Sequence, residues 1–264
     1  MDAAATVLAL EDIAMRFGAV VALDGVSFTV RRGEICGLIG PNGSGKTTLF
    51  NCISGFYRPQ RGAVMLEGQP LGALPRHRMA ALGVGRTFQN LALFRSMTVR
   101  DNILVGAHAS GRSGFLAGAF LLPRARREEA AASARLAEVL ELLDLGPVAG
   151  QRVGVLPFGT AKRVEIGRAL LARPRLLLLD EPACGLNHAE VDELLLLLRR
   201  IRTQFTLTIL LVEHHMGLVM RLCDHVVALA SGRRITDGTT AEVQGDAEVV
   251  RAYLGTPAPD ARAA

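Results

Sequence analysis

Tryptophan is absent from this chain and tyrosine occurs twice. Basic residues interleaved with aromatics, the usual mark of a nucleic-acid surface, are therefore missing. Cysteine is scarce too. Cys36, Cys52, Cys184 and Cys223 form no C-x-x-C pair, which excludes the common redox and zinc signatures; they read as reduced thiols of a cytosolic protein, mostly filling the core. No apolar run approaches the roughly 18 residues that span a bilayer, and the start Met1-Asp2-Ala3-Ala4 lacks the basic residues of a secretory signal. Internal repeats and long low-complexity linkers are absent as well. Lysine is the rarest charge: of 30 basic residues only Lys46 and Lys162 are lysines. The formal charge of +5 and pI near 9.5 fit an anionic membrane surface, nucleic acid or plain arginine richness, and the missing aromatics weigh against nucleic acid.

Against that arginine background, Lys46 stands in Gly40-Pro41-Asn42-Gly43-Ser44-Gly45-Lys46-Thr47, which fits G-x-x-x-x-G-K-[ST]. A compact ammonium bridges two phosphates better than a planar guanidinium does. The flanks agree. Arg32-Gly33-Glu34-Ile35-Cys36-Gly37-Leu38-Ile39 reads as a turn and a buried strand, and a helix begins around Thr48. Strand, loop and helix in that order aim loop amides and a positive helix end at the same phosphates.

Half the residues are apolar and the length is 264, enough for one large α/β domain or two small ones. Short β-rich runs occur at Val7–Leu10, Val26–Val30 and Gly62–Leu66. From about Thr98 to Leu145 the pattern turns helical, with a helix opening at Pro123 and stopped by Gly146-Pro147. Arg175–Leu179, Thr208–Val212 and Val226–Leu229 read as fully buried strands. Strands alternating with helices predict a parallel sheet covered on both faces. The tail from about Thr256, rich in Ala, Pro and Asp, is expected to be loose.

The leucine run to Leu179 ends in Asp180-Glu181, the Walker B arrangement. Asp180 can hold Mg²⁺, mostly through water, beside the Thr47 hydroxyl. Glu181 can polarise the water that attacks a γ-phosphate. Read alone, the pair is an acidic strand end before a Pro182 turn; the upstream phosphate loop favours the chemical reading. Gln89 follows a strand expected at Gly83–Arg86, and its amide can serve both Mg²⁺ and water. Taken singly, it is an ordinary surface glutamine. His214 ends the strand running to Glu213 and can hydrogen-bond a γ-phosphate. Its alternatives are a structural histidine or a metal site with His215, Cys223 and His225, which adjacent strand-end side chains pointing apart disfavour.

In this order the pieces resemble the ATP-binding subunit of an ABC transporter, from roughly Leu8 to Gly255. Phe17 resembles the aromatic that stacks on adenine. Leu156-Pro157-Phe158-Gly159-Thr160 stands at the signature loop, before the helix from Ala161 to Leu170. Cys184-Gly185-Leu186-Asn187 resembles the D-loop, and His214 matches the switch histidine. The stretches Gly45–Tyr57, Arg86–Phe94, Met97-Thr98-Val99, the insertion from about Gly114 to Arg127 and the ending Arg251–Gly255 resemble the branched-chain amino-acid importers, in the larger of their two ATPase subunits.

The resemblance implies a P-loop NTPase of the α/β class: a RecA-like parallel core, an N-terminal antiparallel β subdomain and an inserted helical signature subdomain. It implies one ABC ATPase domain over 1–256, with the core at about 1–92 and 174–256, the helical part at about 93–173, and a flexible tail at 257–264. It implies ATP and Mg²⁺, with Gly40, Pro41, Asn42, Gly43, Ser44, Gly45, Lys46, Thr47, Thr48, Phe17, Gln89, Asp180 and Gly159 on the nucleotide. Thr47, Gln89 and Asp180 are its metal ligands, and Lys46, Glu181 and His214 its catalytic groups. The implied partners are a second, non-identical ATPase subunit, two transmembrane permease subunits and, indirectly, an extracytoplasmic solute-binding protein, at the cytoplasmic face of the inner membrane; nucleic acid is not among them. The alternatives are another ABC importer, a lipopolysaccharide exporter, or a soluble ABC protein of DNA repair or translation. The last usually carries two cassettes or a coiled coil, and this chain shows no sustained heptads. The chain departs from the general signature at Pro157 and Thr160, from the acidic residue after the switch histidine at His215, and from the D-loop aspartate at Asn187.

Overall fold

The structure is a computed structural model that describes residues 5–71, 78–87, 91–109 and 123–254. The described strands are β1 (Thr6–Phe17), β2 (Val20–Arg31), β3 (Ile35–Ile39), β4 (Arg61–Leu66), β5 (Gln69–Pro70), β6 (Val84–Arg86), β7 (Leu176–Asp180), β8 (Thr208–Val212), β9 (His225–Ala230) and β10 (Arg233–Gly238). The described α-helices are α1 (Lys46–Ile53), α2 (Val99–Leu104), α3 (Pro123–Leu142), α4 (Phe158–Leu171), α5 (His188–Phe205), α6 (Met216–Leu222), α7 (Thr240–Gly245) and α8 (Ala247–Leu254). They fall into two compact units, Met1–Leu74 with Thr208–Ala264, and Pro75–Leu207.

The first unit contains an antiparallel sheet in the order β2-β1-β4-β5. It also contains the parallel strands β8-β3-β9, with β10 antiparallel on β9. Every residue of β3 and β8 is buried. These strands alternate no polar residues because both their faces are covered, as the apolar runs led one to expect. Cys223 packs against the bare backbone of β3: a Cβ at Gly37 would stand 2.9 Å from its sulfur. Cys36, Cys52 and Cys223 are buried, whereas Cys184 is exposed. Burial pushes the Cys52 thiol up to about 11, so it acts as a small apolar residue.

The second unit holds the parallel pair β6-β7 and the helices α2 to α5. All of β7 is buried. The helix α4 carries Ala161, Val164, Ile166, Leu170 and Leu171 into the core of this unit, and α2 and α3 pack against it. Gly167 is a contact point: a Cβ there would meet Leu143 at 2.8 Å and Ile103 at 3.1 Å.

The β1 run is longer than Val7–Leu10. Its pairing with β2 shifts register after Leu10 and again after Ile13, and Asp12 takes φ 51° there. The bulge resets which face each residue covers, and so hides the second half of the strand from a period-two pattern. β10, Arg-Arg-Ile-Thr-Asp-Gly, has too few apolar residues to be read as a strand at all. The segment around Gly114, residues 88–90 and the tail from Gly255 lie outside the described residues.

Candidate functional site

In the first unit β3 delivers the chain into the glycine loop. Gly40 has φ 151°, and a Cβ on it would stand 2.3 Å from the Leu229 carbonyl oxygen. Gly45 has φ 101°, with the Ala22 carbonyl oxygen 2.5 Å from its virtual Cβ. Both positions exclude a side chain on geometry and on space. Asn42, Gly43 and Thr47 are exposed, whereas Ser44 and Lys46 are buried. The Lys46 ammonium donates to the carbonyl oxygens of Gly40 (2.7 Å) and Pro41 (2.9 Å). A lysine 8% exposed is thus held across the top of the loop while α1 starts behind it. Thr47 and Thr48 lie in the first turn of that helix, at its positive end.

His214 and Phe17 belong to the same unit as the loop. β8 pairs with β3 up to Leu38 and Val212, so His214, just past β8, leaves the sheet at the same end as the loop. The Glu213 side chain, fully buried, accepts from the N–H groups of His214 (3.2 Å) and His215 (3.3 Å). The ring of His215 does other work: its Nδ1 accepts from the Leu218 N–H at 3.2 Å and caps α6. Among the described residues no cluster of His, Cys, Asp and Glu is arranged to hold a metal. Phe17, at the end of β1, is 44% exposed and meets Tyr57 edge-on, with ring centroids 5.3 Å apart. Tyr57 is 39% exposed, so the two rings offer a flat planar ligand an aromatic corner.

In the second unit β7 ends at Asp180, which is 8% exposed. Arg86, ending the neighbouring β6, places Nη2 3.2 Å from Asp180 Oδ2. Burial raises the Asp180 carboxyl above its ordinary range, although Arg86 pulls the other way. Glu181 follows in a left-handed turn, φ 47°, an uncommon conformation for a residue with a side chain. Its carbonyl oxygen accepts from Lys162 Nζ (3.2 Å) and from the Cys184 N–H (3.1 Å), which fixes the turn. The second lysine is therefore also buried, also on a backbone carbonyl, with its ammonium 5.4 Å from the centre of the Phe158 ring. Lys162 and Arg86 were not singled out in the sequence as site residues. Their available signal was rarity in one case and position at a strand end in the other.

The signature departures have local explanations. α4 begins at Phe158 with Pro157 as its N-cap, φ −54°, and no side-chain cap. That φ is the one proline prefers. Gly159 sits in the first turn, where a Cβ would meet Glu190 Oε1 at 2.9 Å. Asn187 begins α5 in a capping box. Its side chain accepts from the Glu190 N–H (3.0 Å), and Glu190 accepts from the Asn187 N–H (2.9 Å). Asparagine serves as well as aspartate in that position. Gln89 lies outside the described residues. The segment after it is anchored: buried Asn102 bonds the N–H and the carbonyl of Phe94, both at 2.9 Å, and Arg168 donates to the Ala92 carbonyl.

The ABC transporter family matches residues 23–184, and the C-terminal family described as branched-chain amino acid ATP-binding cassette transporter matches residues 233–259. The chain is 43% identical to the high-affinity branched-chain amino acid transport ATP-binding protein BraF of Pseudomonas aeruginosa, over 94% of this chain and 98% of that one. It is 41% identical to the corresponding LivG of Escherichia coli K12, over 94% of this chain and 97% of the relative. A nucleotide-free ATP-binding cassette from an ABC transporter superposes with a TM-score of 0.82 at 32% identity, covering 95% of this chain and all (100%) of the other. The loop, the buried acidic strand end and the signature helix are thus parts of an ATPase cassette: the chain belongs to the ABC transporter family, in its branched-chain amino acid ATP-binding branch.

Proposed function

We propose that this chain binds and hydrolyses ATP to drive import of branched-chain or related amino acids. The observation that carries this reading is the loop from Gly40 to Lys46, its glycines forced by geometry and its ammonium buried above the loop carbonyls. In the proposed complex Lys46 and the loop amides hold the β- and γ-phosphates, and Phe17 with Tyr57 holds the adenine. His214 reaches the γ-phosphate. Glu181 accepts a hydrogen bond from the attacking water and aligns it. The donor set suits Mg²⁺, since Thr47 offers a hydroxyl oxygen and Asp180 a carboxylate, with Gln89 as a third oxygen ligand. The ion supplies neutralisation of the charge that develops on the transferred phosphoryl group.

Family membership and one surface support the proposed partners. A second ATPase subunit presents its signature to this chain's nucleotide, and Gly159 with the start of α4 does the same in return. Two permease subunits and a solute-binding protein complete the transporter at the cytoplasmic face of the inner membrane. Among the described residues no helix is long and apolar enough to cross a membrane. In the second unit an open groove of about 310 Å³ runs between Leu91, Leu93, Arg95, Val153, Leu156 and Phe158. Phe94 and Val155 stand exposed in the two segments that form it, at 51% and 75%. A groove of this kind accepts the apolar side of a permease's cytosolic helix.

Lys46→Ala should weaken ATP binding by about a hundredfold, and Glu181→Gln should keep binding while turnover drops by about a hundredfold or more. Equilibrium binding of a fluorescent ATP analogue and a phosphate-release assay measure the two. Unchanged affinity in the first variant or wild-type turnover in the second would refute the assignment. Reconstitution with the permease and solute-binding protein, with ATP turnover measured against a panel of amino acids, tests the solute.

A further inference from the structure

The first amide of the phosphate loop is tied to the far end of the chain. The Gly40 N–H donates to the Tyr253 hydroxyl at 2.7 Å, across a sequence separation of 213 residues. Tyr253 lies on α8, and α8 is fixed at its other end as well. Asp246 accepts from the N–H groups of Glu248 (2.7 Å) and Val249 (3.2 Å), and its second oxygen accepts from the Thr236 hydroxyl on β10. Val249 is 4% exposed. Gly40 itself is the hinge where β3 becomes the loop, crowded by the Leu229 carbonyl and the Ser44 hydroxyl. At so tight a point the backbone cannot rotate toward another acceptor without moving its neighbours. Burial raises the Tyr253 phenol above its ordinary range. The phenol thus stays neutral near pH 7, with an oxygen lone pair for Gly40.

The geometry points to Tyr253 as a positioning residue for nucleotide binding: its hydroxyl, by accepting from the Gly40 N–H, fixes the hinge of the phosphate loop. The segment that supplies it, residues 233–259, is the part that matches the branched-chain cassette family. The inference rests on the reading of the Gly40 loop as the ATP site. It assigns α8 a part in nucleotide binding that no contact with ATP requires.

Tyr253→Phe keeps the ring and removes only the acceptor. In the full-length chain labelled with ¹⁵N-glycine, hydrogen exchange at the Gly40 amide should speed up about tenfold. The KM for ATP should rise roughly three- to tenfold with kcat within about twofold of wild type. Val249→Ala loosens the same helix without touching the hydroxyl, and should lower Tm while leaving KM alone. The inference is overturned if Tyr253→Phe leaves exchange and KM unchanged, or if Val249→Ala raises KM as much as Tyr253→Phe does. Wild-type protein that binds no ATP would instead overturn the reading of the loop, and the Gly40 exchange rate would still report on the hinge.

Discussion

The two lysines of this arginine-rich chain share a task. Lys46 lies on the carbonyls of Gly40 and Pro41, and Lys162 on the carbonyl of Glu181. An ammonium is compact enough to be buried on a carbonyl, where a guanidinium would leave donors unmatched. Lys46 was legible because its neighbours spell a motif. Lys162 was not, since its partner lies 19 residues ahead in sequence and reaches it only through the fold. A titrating residue elsewhere gives a prediction at this scale. His225 bonds the Asp237 carboxylate, lies 3.7 Å from Glu34, and is opposed by Arg31. The hydrogen bond to Asp237 raises the His225 imidazole above 6.5, although burial lowers it. Folding therefore gains from the protonated ring below pH 6.5, and this gain fades as pH rises through the higher folded-state value. Burial alone would raise Asp237, but His225 and Arg234 hold it below its usual range, so its own contribution fades in acid. Thermal melting from pH 6 to about 9 should show wild type losing its advantage over His225→Gln as pH rises; a constant difference would contradict the ion pair.

Elements whose character is set by burial were the easiest to read. β7 and β8 are covered on both faces and announce themselves as leucine and isoleucine runs. β1 was half legible, because a bulge at Asp12 breaks its alternation. β10 was not legible, because its stability comes from pairing with β9 and from bonds such as Arg233 to Asp24, a separation of 209 residues. Helix starts divide the same way. The capping box Asn187–Glu190 is a local spacing, and it carries the start of α5. Asn187→Ala should cost about 1 kcal/mol of stability, measured by urea denaturation, with less effect from Asn187→Asp. An equal loss in both variants would show that the asparagine acts other than as a cap.

At the scale of the molecule, the proposed pairing with a second ATPase subunit gives a prediction, and the acidic residue after β7 is the means to trap the pair. If Glu181 aligns the attacking water as proposed, its replacement leaves bound ATP to hold two subunits together. Glu181→Gln in ATP should elute at dimer mass, alone or with its paralogue, and return to monomer on exchange into ADP. Monomer under both conditions would separate hydrolysis from closure. What the sequence determined alone was contiguous chemistry: a glycine loop ending in Lys46, a buried strand ending in Asp180-Glu181, a signature helix, and the family these name. Such motifs are legible because their groups act within a few bonds of one another along the backbone. Tertiary structure decided the supports: Lys162 under Glu181, Arg86 on Asp180, Tyr57 against Phe17 and Tyr253 on Gly40. Those contacts join segments far apart in the chain. Loop-closure entropy opposes such contacts in the unfolded state, and they exist only once the cores around β3 and β7 have formed.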